Sequence, residues 1–468
     1  MGPLAEGARR GDHAPDDRLN FASRAAAAAC GARFFALAFL HRTCYDIPYI
    51  VFGVRKLSKY PVIAVDTPSI MFAALTNRRW GRTFRLSADL TSQVDRDTLT
   101  AAVRATLPAY PNMRLSLTRG FFWAKQRMTE ALPEIRPAEQ PLLPVTSRYR
   151  GAPNFRLTYS GATLALESAH VQGDGRGHLR FFCALLDVYA RIAAGEAVSA
   201  LRQKPEVMED AFDRYYQKGG EKPRGGLSDA FRFPSGDQKG YLSLSFAETE
   251  EDAVCAKAHA VGLTVTQYLS GVLILAAVRA AGEPVNAPVR LAVPVDLRRF
   301  FPSGTCRNFV VQARITFSPA GRRDLTLSDV IEEIRGQLPS QLNAGELVKQ
   351  INKFVSLKTN PVLYAVPYLV KKPVLGLLQK KSHRAYTTIF TNLGEKRLPE
   401  HAAGIVRSLR FVNGDTSRYG LPVTASCVSC NNRLSVCFSA ATPDARFFDA
   451  FVAVLGEQGL EIETEILK

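Results

Sequence analysis

The 468-residue sequence is short of acidic side chains: 43 Asp and Glu stand against 60 Lys and Arg, a formal net charge of +17 at pH 7. That excess favours anionic partners: nucleic acid, anionic lipid, a phosphorylated co-substrate or an acidic carrier protein. Cysteine is sparse, with 8 residues scattered from Cys30 to Cys437. A chain this long with so few thiols is not a disulfide scaffold, and they read as free thiols in a reducing compartment. No stretch reaches the roughly 20 apolar residues of a membrane-crossing helix, which excludes a multi-span membrane protein. Hydrophobic residues at 46% and charged residues at 22% exclude a mainly disordered chain.

Several chemistries are missing their signatures. There is no G-x-x-x-x-G-K-S/T phosphate loop, no G-x-G-x-x-G after a strand, no H-E-x-x-H and no G-x-S-x-G elbow. The positive charge is dispersed and matches no nucleic-acid module, so no nucleic-acid partner is expected. Cys427 and Cys430 have C-x-x-C spacing, but the surrounding VTASCVSC reads as a strand. Residues three apart in a strand point to opposite faces, so the pair is not read as a metal or redox site.

The chain divides into an N-terminal extension (1–59), a first lobe (60–200), a linker (201–240) and a second lobe (241–468). Residues 1–20 are polar and expected to be disordered. Residues 24–40, RAAAAACGARFFALAFL, read as a short helix packed on the body or as an interfacial membrane helix. No secretory leader is recognised, so a cytoplasmic location is expected, with membrane association through this segment as a further option. In the first lobe, TFRLSADL (83–90) alternates as a half-buried strand, and Asp95 can cap a helix running to about Leu107. Hairpins are expected at Arg119-Gly120 and Ser160-Gly161, and a helix over His178–Ala194. The stretch 201–240 is rich in charge, Gly and Pro. Beyond it, strands are read near 241–246, 291–297, 308–317, 387–395, 423–430 and 433–440. Helices are read near 249–259, 262–282, 328–342 and 445–456. Residues 361–384 read as a helix broken at Pro367 and Pro373, with a basic edge that is either solvated or in contact with an anion.

The loop between the 163–170 strand and the following helix carries the densest chemistry. It reads His170-Val171-Gln172-Gly173-Asp174-Gly175, an H-x-x-x-D-G pattern. A histidine ending a strand at the mouth of a cleft suits a general base, because its ordinary pKa lies near neutrality. Asp174 is too close in the turn to be assumed its partner; the alternative is that it faces inward and holds the loop through a buried arginine. His178 opens the next helix and reads as a surface or first-turn residue.

The stretch HVQGDGRGHLRFFCALLDVYARIAAG resembles the active-site motif of the CoA-dependent acyltransferase superfamily. That superfamily includes chloramphenicol acetyltransferase, plant BAHD enzymes, peptide-synthetase condensation domains, polyketide-associated acyltransferases and wax ester synthases. The sequence is most similar to its bacterial alcohol acetyltransferase-like members, over about residues 60–468. VPVDLRRFFPSGTCRNF (293–309) resembles a second family region. Carried over, it makes Arg298 the partner of Asp174, with Arg299 as the neighbouring alternative, and Asn308 a turn-holding residue. TTIFTNLGE (387–395) resembles a third, which makes Thr391 and Asn392 candidates for oxyanion donors or tunnel residues. Two departures narrow the match. Ala169 stands where peptide condensation domains carry a second histidine, and the D-F-G-W-G motif of plant relatives is missing.

The resemblance implies an α/β (α+β) architecture of two lobes, each a mixed, mostly antiparallel sheet with helices, and an active-site tunnel between them. It implies acyl transfer from a thioester to an alcohol or amine, with His170 as general base and Asp174, Gly175, Arg298 and Asn308 supporting it. Acyl-CoA, or an acyl group on a carrier protein, would enter as co-substrate, with no metal and no permanently bound cofactor. Two alternatives remain: carrier-dependent condensation or lipid or polyketide esterification, and a non-catalytic binding protein of the same fold.

Overall fold

A computed structural model describes residues 61–467, except 77–81, 119, 139–144, 146–150, 202, 224, 235–241 and 415–420. The expectations for the 1–59 extension and its membrane contact lie outside the described residues. Residues 60–468 form one compact unit.

Among the described residues the strands form three sheets. The first lobe is built on a five-stranded sheet in the order 406–413, 83–90, 163–169, 155–160, 134–137. Each neighbouring pair is antiparallel except the last. Thr83–Leu90 forms as its alternation predicts, and Phe84, Leu86, Ala88 and Leu90 enter the core. Asp95 caps the helix Arg96–Thr106 by accepting from the Thr98 amide at 2.7 Å. Phe155–Ser160 and Thr163–Ala169 make the expected hairpin, with Gly161 in the left-handed region its turn requires. A small third sheet holds 62–64, 125–128 and 115–118. Its 115–118 and 125–128 strands pair later than expected, Thr118 opposite Lys125, so a longer loop replaces the tight turn at 119–120.

The second lobe has a seven-stranded sheet in the order 310–317, 289–296, 388–395, 423–430, 433–440, 243–250, 463–467. It is mixed: the 388–395 strand runs parallel to both neighbours, and the other pairings are antiparallel. Its central helix, Val265–Ala280, is buried almost throughout and begins at a Thr264–Gln267 capping box. The 328–342 helix is two pieces, Leu327–Ile334 and Gln337–Gln341, broken around Gly336. Cys427 faces one core and Cys430 the other, as the strand geometry requires. Burial raises both thiol pKa values, that of Cys430 to about 11.

Two boundaries drawn from the sequence are corrected. The second lobe does not contain all of 241–468, because Val406–Asn413 leaves it and pairs with Thr83–Leu90 along the edge of the first sheet. Its Leu409 and Phe411 fill the first lobe's core, together with Leu393, Val428 and Cys430. The described part of 201–240 is not a free linker either. Ala211 and Phe212 are fully buried in the second lobe's core. Asp210 accepts from the amide and hydroxyl of Thr67, each at 2.8 Å, and pairs with Lys358.

Candidate active site

The Thr163–Ala169 strand ends at His170, and the helix Gly175–Ala193 begins five residues later. Everything in this loop is tied down. The His170 amide donates to the Arg82 carbonyl at 2.9 Å. The Val171 carbonyl accepts from Gln126 Nε2 at 2.9 Å and from Ser69 Oγ at 3.2 Å. Gln172 donates to the Asn112 carbonyl. Gly173 and Gly177 lie so close to the Cys306 carbonyl that a Cβ on either would overlap it. At Gly175 a Cβ would press on Leu393 and Phe411, 3.2 and 3.3 Å away. The glycines of this motif are therefore a close-approach surface.

Asp174 does two jobs with its two oxygens. Oδ1 accepts from the Gly177 amide at 2.8 Å and caps the helix. Oδ2 accepts from Arg298 Nη1 and Nη2, both at 3.0 Å, and from the Phe309 amide at 2.8 Å. The expected Arg298–Asp174 pair therefore forms, but through one carboxylate oxygen, because the cap occupies the other. Arg298 spends its remaining N–H groups on the Thr305 carbonyl, Asp296 and the Arg307 carbonyl. All five of its donors are placed. Burial works against its charge, but Asp174 and Asp296 outweigh it and hold the guanidinium more firmly protonated than usual. Arg299 does not take this role: it lines the adjoining cavity.

The imidazole of His170 is half-buried and stacks on Phe72, with ring centroids 4.1 Å apart, and meets the edge of Phe84. Its Nδ1 lies 3.0 Å from Asn308 Oδ1. The orientation of that amide follows from its other end. Asn308 Nδ2 faces acceptors: the His170 carbonyl at 3.0 Å, Ser69 Oγ at 3.0 Å and the Asp66 carboxylate at 3.3 Å. Oδ1 must then point to His170, so Nδ1 carries a proton, and in the neutral ring the lone pair lies on Nε2. That is the tautomer of a base. Asn308 thus holds the imidazole, which goes beyond the turn-holding role expected of it.

Asp66 was not singled out in the sequence. It is fully buried, accepts from the Ser69 amide at 2.8 Å and lies 3.6 Å from Arg307. Burial raises its carboxyl pKa, against the pull of Arg307. Its only local signal is Asp-Thr-Pro-Ser, a helix-opening pattern before Ser69–Leu75. Phe72, beneath His170, belongs to that same helix.

His178 is buried rather than on the surface. Nδ1 lies 2.9 Å from the Asp174 carbonyl and Nε2 2.8 Å from Ser168 Oγ. Burial lowers its pKa to about 4, so it stays neutral and structural.

His170 opens onto a cavity of about 410 Å³ between the two lobes. The first lobe supplies Phe72, Arg82, Phe84, Gly175 and Arg176, and the second supplies Thr266, Asp296, Arg299, Thr391 and Asn392. Asn392 is already engaged: Nδ2 donates to Thr266 Oγ1 at 3.2 Å, and Oδ1 accepts from the Gly394 amide at 2.7 Å. It holds the irregular end of the 388–395 strand, where the register shifts and Gly394 is left-handed. Thr391, the other oxyanion candidate, lines the cavity. Arg176 also lines it; burial and the nearby Arg299 lower its pKa.

This two-lobed architecture is the fold of condensation domains and chloramphenicol acetyltransferase-like, CoA-dependent acyltransferases. Solved structures at low sequence identity show the same fold. Polyketide synthase associated protein 5 from Mycobacterium tuberculosis is 14% identical, covering 84% of this chain and 98% of that one, with a TM-score of 0.54. The TRI3 trichothecene 15-O-acetyltransferase from Fusarium sporotrichioides is 12% identical, covering 87% and 99%, with a TM-score of 0.56. The starter condensation domain of rhizomide synthetase RzmA, solved with C8-CoA and Leu-SNAC, is 13% identical, covering 84% and 94%, with a TM-score of 0.54. No family model and no curated protein matches the sequence.

Proposed function

We propose that this protein is an acyltransferase that moves an acyl group from a thioester to an alcohol or amine, with His170 as the general base. The observation that carries this reading is the fixed imidazole. Asn308 holds its Nδ1, and its ring faces a cavity between the lobes. Solved acetyltransferases and condensation domains of the same fold support the reaction class.

In this reaction Nε2 of His170 takes the proton from the acceptor hydroxyl or amine as the nucleophile attacks the thioester carbonyl. Negative charge develops on the carbonyl oxygen, where Thr391 is the proposed hydrogen-bond donor. The tetrahedral intermediate then expels the thiolate, which takes the proton back from His170. Arg298 does not line the cavity, and its pair with Asp174 holds the loop. Acyl-CoA is the proposed donor, and the cavity's arginines suit an anionic co-substrate.

The test is thiol release from acetyl- to palmitoyl-CoA with pooled alcohols and amines, comparing wild type with His170→Ala. Release that needs both acceptor and His170 supports the proposal. Transfer only from carrier-protein thioesters would replace CoA as donor. No His170-dependent transfer from either donor would refute it.

A further inference from the structure

The helix Tyr368–His383 is built the wrong way round for a surface helix. At 100° per residue, Leu369, Val370, Pro373, Val374, Leu377 and Leu378 fall on one half of its circumference, and all are exposed. Leu369 is 79% and Leu377 67% exposed. The opposite half carries Tyr368, Lys371, Gln379 and His383, and it turns inward. Lys371 is buried there over the Trp123 ring, donating to the Leu363 carbonyl at 2.6 Å.

The exposed apolar surface continues beyond this helix. Of the thirteen large apolar side chains exposed among the described residues, eight lie between 357 and 378. Phe121, 65% exposed, adjoins them: its carbonyl accepts from the Tyr368 amide. Apolar surface gathered in one place on an otherwise well-buried protein marks a contact face.

Charge identifies what covers it. From 347 to 394 the sequence has no Asp or Glu and eight Lys and Arg, of which Lys349, Lys358 and Arg384 pair with acids outside that stretch. Lys380 and Lys381 are exposed on the same outward half of the helix, at its C-terminal end. Leucine and valine rimmed by lysine are the pattern of a helix lying in an anionic lipid interface. No single described helix is long and apolar enough to cross a membrane.

We propose that the helix Tyr368–His383 docks this protein on an anionic membrane surface. The same helix serves the site. Its inner residues Gln379 and His383 line the cavity. It also packs on Ser69–Leu75, the helix that carries Phe72 under His170. If the acyl-transfer reading holds, the substrate this arrangement suits is a lipid-soluble acceptor or long acyl chain taken from the bilayer. Docking itself does not depend on that reading.

The test is co-flotation of the full chain with vesicles of phosphatidylcholine, alone or mixed with phosphatidylglycerol. The expected result is binding to the mixed vesicles that weakens with salt. Leu369→Ser with Leu377→Ser should lower it at least about tenfold. Lys380→Gln with Lys381→Gln should remove the preference for the anionic lipid. Neither pair lines the cavity, so transfer between soluble substrates should persist, and His170→Ala should float like the wild type. Docking and chemistry can therefore fail separately. Absence of wild-type binding, or binding unchanged by the leucine pair, overturns the proposal. So does a wild-type dimer that the leucine pair turns into a monomer, because a second copy would then cover the ridge.

Discussion

Replacing Arg298 with Met should disable the site without touching substrate. The variant keeps much of the side chain's length and loses five donors at once. Asp174 is left as a buried carboxylate with only the Gly177 and Phe309 amides as partners. Breaking a buried pair on one side costs about 3–5 kcal/mol. That is a large part of the roughly 5–15 kcal/mol that holds a typical domain folded. The Thr305 and Arg307 carbonyls also lose their donor, and both flank the loop that carries Asn308. The imidazole should therefore loosen as well, and a misplacement of about 1 Å can cost about a hundredfold in rate. The assay is urea unfolding together with initial rates of acyl transfer. Adding Asp174→Asn removes the stranded charge and keeps an N-cap. The double variant should recover at least about 1 kcal/mol relative to the sum of the single losses. An Arg298→Met protein with wild-type unfolding and wild-type rate would refute the reasoning.

Other outcomes follow from the same geometry. Asn308→Ala removes the acceptor at Nδ1, a bond that strengthens when the imidazole becomes charged. With about 1.5–3 kcal/mol for a hydrogen bond to a charged group, kcat should fall roughly 10- to 150-fold in steady-state assays. An unchanged kcat would free His170 from Asn308. Gly177→Ala drives a methyl into the Cys306 carbonyl. Overpacking of this kind costs about 1–3 kcal/mol, so thermal melts should show a lower Tm than in Gly404→Ala, where nothing lies nearby. For His178, burial lowers the folded-state pKa from 6.5 to about 4. Between those values the unfolded chain binds a proton that the native state refuses. Its stabilising contribution is therefore complete above pH 6.5 and lost as pH falls toward 4. At about 1.4 kcal/mol per pH unit this amounts to roughly 3 kcal/mol, and His178→Gln should flatten the slope of urea stability against pH.

Local patterns were readable because their causes are local. Thr83–Leu90 alternates because one face is core, and it forms with those bounds. Asp95 caps the helix it precedes. The opposed faces of Cys427 and Cys430 follow from strand geometry alone. The 170–175 loop could be picked out because histidine, aspartate and glycine occur together where a strand meets a helix.

Tertiary structure decided what those residues do. Asp66 comes within hydrogen-bond reach of Asn308 from 242 positions away, and no periodicity encodes such a meeting. No strand is read over 406–413 in the sequence; its pairing with the edge of the first sheet, outside its own lobe, appears only in the fold. The stretch 201–240 has a linker's composition, yet burial of Phe212 and the bonds of Asp210 fix residues 210–212 in place. The sequence by itself marked many of the helices and strands, and the loop where a histidine, a carboxylate and glycines occur together. Only the folded chain chose the tautomer of His170, divided the oxygens of Asp174 between a cap and Arg298, and turned the apolar side of Tyr368–His383 outward. Those outcomes depend on partners brought together by long-range packing, where direction and burial matter as much as residue type.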